Sequence, residues 1–340
     1  MAKKILFICG SYDQTTIMHS IYVHLKDYDC YFTPYYADSF LKRLSEAGFF
    51  NFTILRGKLK NDTLNYLLAN NLNIDFKGNL FNYDLVFTCS DLIIPKNILG
   101  KKIIFVQEGM TDPENFVSHL VKRLKLPRFL ASTAITGLSR TYDYFCVASE
   151  GFKNLFIRNG VREEKLIVTG IPNYDNCKEY YKNNFPHKNF VLAATSDARE
   201  TFKFKNRKKF IKEAFDTADG RLLIFKLHPN ENGERAAREI KLIAPDALIY
   251  SDGNINEMIA NCDVLIAKYS SVVYVGLALG KEVYSDFDSV ELKELMPIQN
   301  NGRSAENIAE LAKVLMERNE SLELKLKRFR VNSLNNPGYL

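Results

Sequence analysis

At 340 residues, with 46% hydrophobic and 25% charged residues, the chain has room for two ordinary domains and is too apolar to be disordered. A net charge of +6 suits anionic ligands or a membrane surface and is weak support for nucleic-acid binding. The six cysteines are scattered without a CxxC pair, which argues against zinc and for reduced thiols in a cytoplasmic protein.

The first apolar run, Lys4 to Cys9, is too short for a signal peptide and reads as a strand. Gly10-Ser11 turns the chain into a helix over 13–25, with Ile17, Ile21 and Leu25 at helical spacing. Strand, glycine turn and helix open a doubly wound α/β domain, although the dinucleotide pattern GxGxxG is absent. Further strands are predicted at 30–36, 83–89, 102–106, 144–148 and 166–168, with helices at 38–48 and 61–71. The polar stretch 173–188, containing Pro186, reads as a linker, with or without a short helix. Strands then recur at 190–194, 222–226, 247–250, 264–267 and 282–284, and helices at 206–217, 233–244, 255–261, 272–279 and 304–318. The expected organisation is two Rossmann-like parallel-sheet domains, 1–172 and 189–319, facing across a cleft. A charged tail, 320–340, folds back on the first. No run reaches the ~20 apolar residues of a membrane span.

In parallel sheets, ligands bind where strand C-termini meet helix N-termini, so the polar residues at those ends are the candidates. Lys226 and His228 follow the apolar run 222–225; His228 is either an N–H donor to a phosphate, with Lys226 adding charge, or a loop histidine fixed by Pro229. Ser270 and Ser271 follow 264–267 and either cap the next helix or share its N–H groups with a phosphate. Thr195 and Ser196 end 190–194, as helix caps or as ligand contacts. Glu108, between Gln107 and Gly109 at the end of 102–106, is either a general base or a solvated turn residue. His19 and Asp13 are rival bases near the first glycine turn. Residues 120–141 interleave Lys122, Arg123, Lys125, Arg128 and Arg140 with apolar side chains, as an amphipathic membrane contact or an ordinary surface.

Taken in order, Gln107-Glu108-Gly109, Thr169-Gly170-Ile171-Pro172, Lys226-Leu227-His228-Pro229, Tyr269-Ser270-Ser271 and Leu279-Gly280-Lys281 resemble the motifs of GT-B glycosyltransferases. The pattern is similar to the bacterial capsule and lipopolysaccharide group, which includes Kdo transferases, sialyltransferases and CDP-glycerol glycerophosphotransferases. His228-Pro229-Asn230 and Leu279 to Val283 also resemble segments of UDP-GlcNAc 2-epimerases. The resemblance implies a transferase moving a sugar from a nucleotide-activated donor to a glycolipid or polysaccharide acceptor, inverting and metal-independent. Polyol-phosphate transfer, sugar-nucleotide epimerisation and non-catalytic nucleotide-sugar binding are the alternatives. On this reading 1–172 is the acceptor side and 189–319 the nucleotide-sugar side. Glu108 is the base, His228 contacts the donor phosphate, and Ser270 and Ser271 bind the nucleotide phosphates. The nucleotide-sugar is a substrate, and no cofactor or metal is implied. The expected address is the cytoplasm, with peripheral contact at the inner face of an anionic membrane through 120–140. Gln107 stands where sialyltransferases carry a second acid, and Lys268 where glycerophosphotransferases often carry Asp. Glu282 replaces the proline of the epimerase segment.

Overall fold

The computed structural model describes residues 2–37, 57–196, 206–268 and 270–317. The expected helix at 38–48, residues Asp197 and Tyr269, and the tail 320–340 lie outside the described residues. The chain divides into two compact units, Met1–Asp175 with Pro297–Leu340, and Asn176–Met296.

The first unit is built on β1 (Lys4–Cys9), β2 (Asp29–Pro34), β3 (Leu85–Thr88), β4 (Lys102–Val106), β5 (Tyr144–Val147) and β6 (Leu166–Val168). They form one sheet in the order β2-β1-β3-β4-β5-β6, every neighbouring pair parallel. Its strands are nearly continuous apolar runs because helices cover both faces of such a sheet. Phe7 pairs in register with Phe32 on one side and Phe87 on the other, and its ring stacks on each at 4.9 Å between centroids. A one-residue slip would throw this aromatic row to the opposite face, so it pins the register of three strands. The helices are α1 (Tyr12–Tyr22), α2 (Lys58–Ala69), α3 (Phe116–Leu124) and α4 (Glu150–Arg158).

The second unit alternates β7 (Val191–Ala194), α5 (Arg207–Ala218), β8 (Leu223–Lys226), α6 (Gly233–Lys241), β9 (Leu248–Tyr250), α7 (Ile255–Asn261), β10 (Val264–Ala267), α8 (Val272–Ala278) and β11 (Glu282–Tyr284), then α9 (Ser289–Glu294). Its sheet runs β11-β10-β7-β8-β9, again all parallel. Val191, Ala193, Phe225 and Ile266 from the sheet pack against Ile211, Ala214, Ala236 and Ile240 from α5 and α6. At Gly276 in α8 an added Cβ would lie 2.8 Å from Leu265 and 2.9 Å from Val283, so glycine lets that helix sit close on its sheet.

After the second unit the chain returns to the first and ends its described part in α10 (Ser304–Glu317). The sequence places this helix in the second domain; the structure corrects that. Ile308, Leu311 and Ala312 are fully buried, and α10 packs on α1. The side chain of Asp175 accepts from the Ser304 backbone at 2.8 Å, Asn300 donates to the Thr169 carbonyl at 3.2 Å, and Lys3 donates to the Met316 carbonyl at 2.7 Å. The polar stretch 173–188 contains the first crossing between units, at Asp175/Asn176, and one short helical turn, Cys177–Tyr181.

All six cysteines are free and buried. Burial pushes the thiols of Cys30, Cys146 and Cys262 up to about 12, which makes them packing groups rather than nucleophiles.

Candidate functional site

Each sheet reverses its direction of winding once, between β1 and β3 in the first unit and between β7 and β10 in the second. In open α/β sheets the crevice at such a reversal, on the C-terminal side, is where ligands bind. The sequence-predicted residues fall around these two points.

In the first unit, Glu108 follows β4 and reaches toward the start of α1. Its Oε1 accepts from the Ser11 hydroxyl at 2.7 Å and its Oε2 from the Gln14 side-chain amide at 2.6 Å. Ser11 is also the N-cap of α1, accepting from the Gln14 backbone N–H at 3.1 Å. The spacing Ser11-x-x-Gln14 is that of a capping box, but the Gln14 side chain turns to Glu108 instead of back to the cap. Burial pushes the Glu108 carboxyl above the ordinary carboxylate range, the nearby Asp13 adds to the rise, and the Ser11 and Gln14 hydrogen bonds temper it. A carboxylate held at both oxygens, with its basicity raised by its surroundings, is chemically equipped to take a proton from a hydroxyl.

The rival bases have different settings. His19 lies on α1 with Nδ1 3.0 Å from the Tyr66 hydroxyl, and burial holds its imidazolium form down. Asp13 sits in the first turn of α1 beside Glu108 and is exposed. Gln107 is buried and joins backbone to backbone, accepting from Ala148 at 2.9 Å and donating to Gly109 at 2.8 Å. Asp91, three residues beyond β3, is also buried. It accepts from the backbones of Gly137 and Ser139, which makes it a brace for that loop.

In the second unit, Thr195 and Ser196 follow β7, His228 follows β8, and Ser270 and Ser271 follow β10, so all five gather at one sheet edge. The His228 backbone N–H is held by Glu231 at 2.9 Å and by the Thr195 hydroxyl at 3.0 Å, while its Nδ1 accepts from the Asn230 N–H at 3.2 Å. That last contact gives Nδ1 the acceptor role and leaves the tautomer's proton on Nε2, the geometry of a hydrogen-bond donor. Glu231, with 1% of its side chain exposed, also accepts from Thr195 and pairs with Arg207 of α5. Sequence reasoning passed over Glu231. Its signal is the spacing His228-x-x-Glu231, in which a glutamate reaches back to the N–H three residues earlier.

The Thr195 hydroxyl therefore takes part in the Glu231 network. Lys226 is 6% exposed, and its ammonium group donates to the carbonyls of Leu227 at 3.0 Å and Ser251 at 2.9 Å. Burial pushes its pKa down, and the group acts as a strut between the ends of β8 and β9. Ser271 takes the N-cap position of α8 in a helical conformation, and its hydroxyl makes no capping bond. Lys268 is engaged with Glu213 at 3.1 Å and Asp286 at 2.7 Å. Among the described residues no group of three His, Cys, Asp or Glu side chains is arranged to hold a metal ion.

Residues 123–281, a little under half of the chain, match the family model described as CDP-Glycerol:Poly(glycerophosphate) glycerophosphotransferase. No curated protein matches the sequence. Among solved structures, the chain is similar to UDP-GlcNAc 2-epimerase from Neisseria meningitidis bound to UDP-GlcNAc, with a TM-score of 0.57, 11% identity, and 91% of this chain and 99% of that chain covered. The fold is of the GT-B type. A UDP-N-acetylglucosamine 2-epimerase described as putative, from Listeria monocytogenes, is similar at a TM-score of 0.54 and 12% identity, covering 95% of this chain and 90% of that one. These likenesses bear out the two parallel-sheet Rossmann-like domains expected from the sequence.

Proposed function

We propose that this chain is a GT-B-type transferase that passes a group from a nucleotide-activated donor to an acceptor hydroxyl in cell-envelope polysaccharide synthesis. The observation that carries the reading is the family match over 123–281, which spans the whole sheet edge that gathers Thr195, His228, Ser270 and Ser271. The donor class it favours is a CDP-linked polyol phosphate. The acceptor oxygen then bonds to the distal phosphorus, the phosphoanhydride bond breaks, and CMP leaves with the electron pair. Glu108 receives the acceptor proton. His228 Nε2–H, with Ser270 and Ser271, supplies hydrogen bonds to the phosphates as charge builds on the leaving group.

A second reading, sugar transfer to a glycolipid or polysaccharide, is favoured by Lys268, which stands where glycerophosphotransferases often carry an acid. The attack is then on the anomeric carbon, and the same base and phosphate contacts serve.

The test is nucleotide release from CDP-glycerol and from UDP-, GDP- and CMP-sugars, each with and without a glycolipid or polysaccharide acceptor. Acceptor-dependent release of CMP from CDP-glycerol supports the first reading, and acceptor-dependent release from a nucleotide sugar the second. Conversion of a sugar nucleotide without acceptor would make the protein an epimerase. Binding without turnover would make it a binding module.

A further inference from the structure

The basic stretch expected to touch a membrane, 120–140, divides in the structure. Its second half is largely core, with Ala131 and Ile135 packed on Val121, and Arg128 donates to the Asp91 carbonyl at 2.7 Å. What remains outside is α3 and the turn that follows it.

α3 is firmly built. Asn115 accepts from the Ser118 N–H at 3.0 Å and the Ser118 hydroxyl accepts from the Asn115 N–H at 2.8 Å, a full capping box. Lys125 ends the helix in the left-handed conformation, φ 53°. Ser118 and Val121 face inward. Phe116, Leu120 and Leu124, at four-residue spacing, form one stripe facing outward, with Phe116 80% and Leu124 56% exposed. The exposed Leu126 and Leu130 extend it. A surface helix ordinarily turns its apolar stripe to the core. Here most of the apolar surface faces away from it.

The charge carried by the segment itself has one sign. Residues 116–130 contain four Lys and Arg and no Asp or Glu. Lys122 pairs with Glu114 and Arg128 donates to the backbone carbonyl of Asp91, whereas Arg123 and Lys125 are exposed and form no ion pair among the described residues. Two copies meeting through this face would bring like charges together. An anionic surface would neutralise them.

We propose that this face docks reversibly on an anionic bilayer. Phe116, Leu120 and Leu124 enter the boundary between headgroups and acyl chains, and Arg123 and Lys125 meet lipid phosphates. No helix among the described residues is long and apolar enough to cross a membrane. The proposal does not depend on the transferase reading.

The experiment is flotation of the full chain with vesicles of phosphatidylcholine alone or with added phosphatidylglycerol, at low and high salt. The chain should float with the anionic vesicles at low salt, partly leave them at high salt, and ignore the neutral ones. The triple variant Phe116→Ser, Leu120→Ser, Leu124→Ser should keep the parent's unfolding temperature and lose about tenfold or more in bound-to-free ratio. Arg123→Glu with Lys125→Glu should abolish the preference for anionic lipid. Recovery of the parent in the soluble fraction with both vesicle types would overturn the proposal, as would unchanged flotation of the triple variant. A concentration-dependent dimer in sedimentation velocity, lost in the triple variant and unaccompanied by vesicle binding, would assign the face to self-association instead.

Discussion

Replacing Glu108 by glutamine separates the proposed chemistry from the fold. The substitution preserves size and removes basicity. One side-chain oxygen remains to accept from Ser11 or Gln14, and the introduced amide N–H needs an acceptor. Gln14 has one to offer, since its Oε1 is buried without a hydrogen-bond partner and a turn of that amide would present it. The loss in folding stability should therefore stay near 1 kcal/mol, about one neutral hydrogen bond exchanged for a charged one. A general base contributes roughly 10²–10⁴ in rate, which at about 1.4 kcal/mol per tenfold is about 3–5.5 kcal/mol of barrier. Transfer should fall by that factor while donor affinity, measured by calorimetry, stays within about threefold, a difference of less than 1 kcal/mol. The pH dependence supplies a second signature. Burial raises the Glu108 pKa, so wild-type turnover should climb as the carboxyl loses its proton above the ordinary carboxylate range, and Glu108→Gln should lack that limb. The same raised pKa means that Glu108 contributes stability below its unfolded pKa that is lost as pH rises through the folded one; the variant should lose this dependence too. Undiminished turnover in Glu108→Gln would refute the assignment and turn attention to Asp13 or His19. Loss of donor binding together with turnover would refute it as well, by making Glu108 a ligand contact or a structural group.

Three further outcomes can be checked. His228→Ala should weaken donor binding and lower turnover more than tenfold, about 1.4 kcal/mol or more, by titration and steady-state kinetics; unchanged constants would remove His228 from the site. Glu231→Ala should cost about 3 kcal/mol in urea unfolding, because it strips a buried acceptor from His228 and Thr195 and breaks the pair with Arg207; a loss below about 1 kcal/mol would show the network to be dispensable. Gly170→Ala should destabilise by more than about 2 kcal/mol, since φ is +73° and the new Cβ would press on Ser304, Asn300 and Ile298; a wild-type melting curve would contradict the close approach.

The strands were legible because parallel strands buried on both faces remain as short apolar runs, and β1, β4, β6 and β10 match their predicted ranges; β11 matches too, as an exposed edge strand. The helix Glu150–Arg158 is absent from the expected elements. Gly151 in its first turn conceals the helical pair Phe152 and Phe156, and Ser149 in fact caps the helix. Periodicity identified α10 as a helix but carries no address, so its packing on α1 could not be read. At the site, residue type and strand-end position picked out Glu108 and His228. Their supports were out of reach for different reasons. Ser11 meets Glu108 across 97 residues of sequence, a contact that only the sheet order creates. Lys226 stands out in the sequence as a strand-end cation, but the sequence does not reveal which carbonyls surround its ammonium group.

The return of the chain at Pro297 imposes an order on synthesis. Residues 176–296 leave the ribosome as a closed block with a complete sheet and can fold while the protein is still being made. The first unit emerges earlier but must wait for Ser304–Glu317, which covers α1 and ties down Lys3 and Thr169. The N-terminal half is thus first out and last finished. A chain stopped at Met296 would carry a complete second unit beside a first unit whose α1 lacks its α10 partner.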